Sequence, residues 1–96
     1  MLFTVIRHDK PNSVALRMSA RPKHLVYLER VQRCIASGGA ILNDNNEQVG
    51  SILMIDVADP AAAEEFAATD PFVAAGLFAS TVIAAFRPVF SNGERI

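Results

Sequence analysis

The sequence predicts an α+β fold of ferredoxin-like type, a βαββαβ protomer whose strands form one antiparallel sheet. Three observations predict it. Runs rich in β-branched and aromatic residues recur along the chain, bounded by turn residues. Helical signals follow the first and third of these runs. A short turn-rich connector joins the second run to the third.

Leu2 to Arg7, with Phe3, Thr4, Val5 and Ile6, reads as the first strand. His8 to Ala20 is polar and broken by Pro11 and Asn12, which predicts a loop holding a turn of helix near Val14 to Met18. Pro22 suits the first turn of a helix, where a missing N–H matters least. From there His24, Leu28, Val31 and Ile35 recur at i, i+4, i+7 and i+11, one stripe facing the sheet. Ser37-Gly38-Gly39 reads as the stop signal of that helix.

Ala40 to Asn43 is expected as a short strand, Asp44 to Glu47 as a turn, and Gly50 to Val57 as the next strand, closing a hairpin. Asp59-Pro60 is an N-cap followed by proline at the first helical position, and Ala61 to Ala68 are strong helix formers. Asp70-Pro71 repeats the start signal for a short helix ending at Gly76. Ser80 to Phe90 is expected as the last strand, frayed or bulged at Pro88.

Ninety-six residues fit a single domain spanning 1–96. With 51% hydrophobic and 20% charged residues, the chain is expected to be globular, not disordered. A net charge of −1 gives no field to attract nucleic acid or an anionic membrane. No apolar run approaches the roughly 20 residues that span a bilayer. Cys34 is alone, which excludes an internal disulfide and suits a reducing compartment. Met1 to Arg7 lacks a basic leader and a long apolar region, so a cytoplasmic location is expected.

The strands carry a further message. In Ile52 to Val57 and Thr81 to Phe86, odd and even positions are both largely apolar, whereas a half-solvated strand alternates. Two helices cover only one face of a four-stranded sheet. A homodimer packed sheet against sheet would cover the other.

For chemistry, His24 comes first. Placed near a helix N-terminus, it would meet the positive end of the helix dipole, which disfavours imidazolium and leaves a neutral base. It also reads as a core-edge histidine donating one hydrogen bond. Asp70 reads equally as an N-cap, as Asp59 does. Arg17 and Arg21 suit a substrate carboxylate through their planar forks, or a solvated surface. Ser51, beside Gly50, stands at a strand entrance, where a small residue also suits a bend; without a positioned base it is no nucleophile. His8, His24 and Cys34 form no spaced metal motif, the glycines form no phosphate-cradling loop, and no cofactor is implied.

Asp9-Lys10-Pro11-Asn12-Ser13, then Arg17, then Arg21-Pro22-Lys23-His24-Leu25, with Gly50-Ser51 and Asp70-Pro71-Phe72-Val73-Ala74-Ala75-Gly76, resemble the YCII-related (YciI-like) proteins over nearly the whole chain. The resemblance implies a dimeric α+β barrel protein whose active site pairs His24 with Asp70, with Ser51 nearby. Its superfamily includes muconolactone-type isomerases and dehydrochlorinases of aromatic-degradation intermediates. The connector from Asp44 to Gln48 is shorter than the loop of many relatives, which leaves substrate range open. The expected function is general acid–base chemistry on a small molecule: proton abstraction, isomerisation or dehydrochlorination-type elimination. Arg17 or Arg21 would hold an anionic group. A small-molecule-binding module without turnover, or a bare dimerisation domain, are the alternatives.

Overall fold

Strands β1 (Leu2–Asp9), β2 (Ile35–Leu42), β3 (Gln48–Asp56) and β4 (Phe78–Ala85) pair antiparallel throughout, in the order β2-β3-β1-β4. Helix α1 (Val14–Val31), extended by a 3₁₀ turn at Gln32–Cys34, crosses from β1 to β2. Helices α2 (Pro60–Ala68) and α3 (Pro71–Ala74) cross from β3 to β4. A small hairpin, β5 (Phe90–Ser91) with β6 (Glu94–Arg95), ends the chain. This is the ferredoxin-like βαββαβ arrangement. The structure, a computed structural model, describes residues Met1 to Ile96.

The period of two along β1 sorts its side chains into two layers. Phe3, Val5 and Arg7 are buried under the helices, while Thr4, Ile6 and His8 point the other way. Phe3, Val5 and Ile55 pack with Ala63, Phe66 and Ala67 of α2, and Val31, Cys34 and Ile35 close the cluster from the α1 side. Tyr27 ties the two helices together by donating to the Phe66 carbonyl at 2.7 Å. The opposite sheet face carries Ile6, Met54, Ile52 and Val82, the last two 46% and 53% exposed. No helix is long and apolar enough to cross a membrane.

Several expected boundaries move. The first strand runs on to Asp9, and α1 starts at Val14, so the expected loop from His8 to Ala20 is mostly strand and helix. Pro22 lies inside α1, not in its first turn. Having no N–H, Pro22 leaves the Met18 carbonyl, four positions back on an exposed residue, without its helical donor. Ser37-Gly38-Gly39 does not stop a helix; it lies within β2, and Ile35 is a strand residue. Phe78–Ala85 is the last sheet strand, and Phe90 belongs to the terminal hairpin. Both Asp-Pro caps form as expected: Asp59 accepts from the Ala62 N–H and Asp70 from the Phe72 N–H.

Two glycines are dictated by geometry. Gly76 leaves α3 at φ 72°, a conformation that side chains resist. At Gly50 a Cβ would run into the Arg7 carbonyl oxygen.

Because Pro22 removes one hydrogen bond from the middle of α1, Pro22→Ala is expected to stabilise the protein by about 1–3 kcal/mol. A urea unfolding curve reads the shift in midpoint. A midpoint unchanged or lowered would mean that the surrounding helix is shaped around the ring.

Candidate active site

Helix α1 turns Arg17, Arg21, His24, Leu28 and Val31 inward at i, i+4, i+7, i+11 and i+14. The C-terminal part of that stripe is apolar and packs on the core. Its N-terminal part is charged and covers the end of the sheet where Arg7 pairs with Ser51 and Ser51 with Ala40. Between α1 and the β2–β3 edge lies a cavity of about 280 Å³. Arg17, Arg21, His24, Gln48 and Ser51 give it polar walls, and Leu25, Leu28 and Leu53 contribute apolar ones.

His24 and Asp70, 46 residues apart in sequence, meet. Nδ1 of His24 stands 2.9 Å from Oδ1 and 3.1 Å from Oδ2 of Asp70. A buried carboxylate can only accept, so Nδ1 carries the shared proton and Nε2 is left as the free ring nitrogen. The imidazole also stacks on Phe72, with ring centroids 4.0 Å apart and planes 16° from parallel. Its plane is therefore fixed at two points.

Asp70 is cap and partner at once, because Oδ1 also takes the Phe72 N–H at 2.9 Å. The contrast with Asp59 is burial. Both carboxylates begin a helix before proline, but Asp59 is exposed and Asp70 is 5% exposed. The expected dipole effect on His24 does not apply. His24 lies ten residues into α1, beyond the first turn where the positive end of a helix acts.

The two arginines differ. Both lie within α1. Arg17 is buried and grips Asp9 with two bonds, Nε to Oδ2 at 2.7 Å and Nη2 to Oδ1 at 3.0 Å, while its guanidinium lies 4.7 Å from the centre of the Phe72 ring. Its charge is thus already balanced. Arg21 makes no ion pair within 4 Å and lines the cavity as its unpaired cation. Ser51 lines the same cavity with its side chain half-buried.

Residue types alone left three contributors out. Arg7 is buried with Nη1 3.7 Å from Asp70, Asp9 neutralises Arg17, and Phe72 supports the imidazole. The signal for Arg7 was its place in the alternation Phe3, Val5, Arg7, which puts a charge on the buried face of a strand. Burial lowers the Arg7 guanidinium from its ordinary value, and the Asp70 carboxylate pushes it back up. Burial likewise raises the Tyr27 phenol, with the hydrogen bond to Thr69 opposing. No group of three or more His, Cys, Asp or Glu side chains is gathered as a metal site.

Comparison with known proteins agrees with this architecture. The model of the YCII-related domain matches residues 1–87. Protein YciI of Escherichia coli O6:H1 is 31% identical over 98 residues, covering 94% of this chain and all of that one. An uncharacterized protein of Haemophilus influenzae is 30% identical with the same coverage. Among solved structures, 5-chloro-2-hydroxyhydroquinone dehydrochlorinase (TftG) from Burkholderia phenoliruptrix AC1100, in complex with 2,5-dihydroxybenzoquinone, is similar with a TM-score of 0.84. Its identity is 34%, covering 91% of this chain and 94% of that one. An antibiotic biosynthesis monooxygenase-like protein shares the fold at 15% identity and a TM-score of 0.57. The fold is that of the dimeric α+β barrel proteins.

Removing one member of a buried ion pair strands the other. Asp9→Ala is therefore expected to destabilise the protein by about 3–5 kcal/mol through the orphaned Arg17. Chemical denaturation checks it, and a loss below about 1 kcal/mol would place Arg17 in contact with solvent after all.

Proposed function

The chain belongs to the YCII-related family, and on that premise we propose that it is a small-molecule enzyme working by general acid–base elimination. His24 is the base, Asp70 orients it, and the substrate is a small oxygenated ring carrying a leaving group. One observation carries the reading. Asp70 engages Nδ1 of His24 in a partly buried contact, so Nε2 is the ring nitrogen left for a molecule in the cavity that His24 and the unpaired Arg21 line. The similarity to TftG, a dehydrochlorinase solved with a hydroxylated quinone bound, supports the choice of reaction class.

In the proposed step, Nε2 takes a proton from a hydroxyl or carbon of the substrate. The electron pair left behind forms a C=O or C=C bond, and a halide departs with its own pair. The sum is loss of hydrogen halide, with no change in the protein's redox state and no cofactor required. Asp70 steadies the imidazolium while it lasts, as a carboxylate does beside any catalytic histidine. Arg21 holds the substrate oxyanion, Ser51 offers a hydroxyl to the ring substituents, and Arg17 contributes N–H donors from the wall without net charge. Leu25, Leu28 and Leu53 receive the apolar face of the ring.

A homodimer belongs to the same proposal. Ile6, Ile52, Met54 and Val82 make an apolar sheet face that no helix covers, and a second copy of that face is the natural cover. Sedimentation is expected to give a dimer at micromolar concentration. A monomer would remove this part.

Turnover is tested by incubating the protein with chlorinated hydroxyhydroquinones and with lactones, reading products by mass spectrometry. His24→Ala and Asp70→Asn are each expected to lower kcat by about a hundredfold to ten-thousandfold. Full turnover by His24→Ala would sink the mechanism. Saturable binding without product in the wild type would leave a ligand-binding module instead.

A further inference from the structure

We propose that Arg7, which does not line the cavity, is a positioning residue that gives the Asp70 carboxylate a counter-ion and keeps it aimed at His24. The inference deepens the acid–base reading above, and rests on it only for the turnover measurement described below.

Arg7 reaches the site from behind. It projects from the buried face of β1, one Nη2 donating to the Ala67 carbonyl near the end of α2 and Nη1 lying 3.7 Å from Oδ2 of Asp70 at the start of α3. Its plane sits 4.4 Å from the centre of the Phe78 ring. A single side chain thus links β1, the end of α2 and the cap of α3. Its Nε is buried with no hydrogen-bond partner, an arrangement that an apolar side chain of similar size would avoid. A core position that keeps a cation at the cost of one unpaired N–H points to a task for the charge.

The task follows from the surroundings of Asp70. His24 on α1 and Arg7 on β1 are the cationic or titratable bases within 4 Å of its carboxylate. Arg17 on α1 is committed to Asp9 on β1. Arg21 on α1 lines the cavity, Tyr27 on α1 donates to Phe66, and Lys10 stands beyond β1 near Gly76. With Arg7 present, Asp70 has a counter-ion of its own while His24 is neutral. Without it, the buried carboxylate would be balanced only by drawing a proton onto the pair, and Nε2 would lose its role as an acceptor.

The test compares wild type, Arg7→Met, Arg7→Lys, Asp70→Asn and the double variant Arg7→Met/Asp70→Asn. The ¹⁵N shifts of the His24 ring at one common pH report which nitrogens carry protons, with His24→Ala assigning the signal against His8. Expected is a bare Nε2 in wild type and in Arg7→Lys, and a protonated Nε2 in Arg7→Met. With 5-chloro-2-hydroxyhydroquinone as probe, kcat of Arg7→Met is expected to fall about tenfold to a hundredfold. In the Asp70→Asn background the same change is expected to cost almost nothing further.

A folded Arg7→Met with the wild-type nitrogen pattern overturns the proposal, as do losses that simply multiply in the double variant. If Arg7→Met does not fold, recovery of the fold in the double variant supports the coupling. Failure of both assigns Arg7 to the core alone and overturns it. Should wild type not turn the probe over, the elimination reading falls for that substrate, and the nitrogen pattern still decides the role of Arg7.

Discussion

The buried Asp70 carboxylate is the constraint around which this molecule is arranged. It closes the first turn of α3, fixes the imidazole of His24 and neutralises the charge of Arg7, all from a position 5% exposed. A carboxylate withdrawn from water is costly unless donors and cations surround it, and here two hydrogen-bond partners and one cation come from three separate elements. The docking of α1 and of the α2–α3 turn against β1 is therefore tied to one side chain. Phe72 makes the tie mechanical as well as electrostatic, since its backbone N–H bonds the carboxylate while its ring supports the histidine that the carboxylate holds.

Much of the fold was legible because its signals are local. The Asp-Pro pairs start helices in the sequence and in the structure, and the β-branched runs became strands in the expected order. Helix α1 departs from the expected bounds at both ends, for a different physical reason at each. Its N-terminal half turns Arg17, Arg21 and His24 inward instead of leucines, so the apolar period shows no start before His24. Pro22 and the Gly38-Gly39 pair then supplied punctuation that tertiary packing overrode.

The site was legible in pieces. That His24 and Asp70 belong together came from family resemblance, since no spacing rule relates residues 46 positions apart. That Arg17 and Arg21 would differ was beyond the sequence, because the difference is made by Asp9, a neighbour across space. The result is a cavity with graded polarity: one fixed imidazole, one unpaired cation, neutral hydroxyl and amide groups from Ser51 and Gln48, and aliphatic walls. No carboxylate lines it, which suits an electron-rich oxygenated guest more than a cationic one.

Strand β1 supplies both buried counter-ions, Arg7 for Asp70 and Asp9 for Arg17, two positions apart and on one side of the pleat. A slip of this strand by one residue would swing both to the open face and strand two charges at once. Apolar alternation alone defends its alignment poorly here, because Thr4 and Ile6 are nearly as compatible with a core as Val5. The ion pairs therefore act as a vernier on β1, so the charges that prepare the cavity also fix how the sheet is threaded.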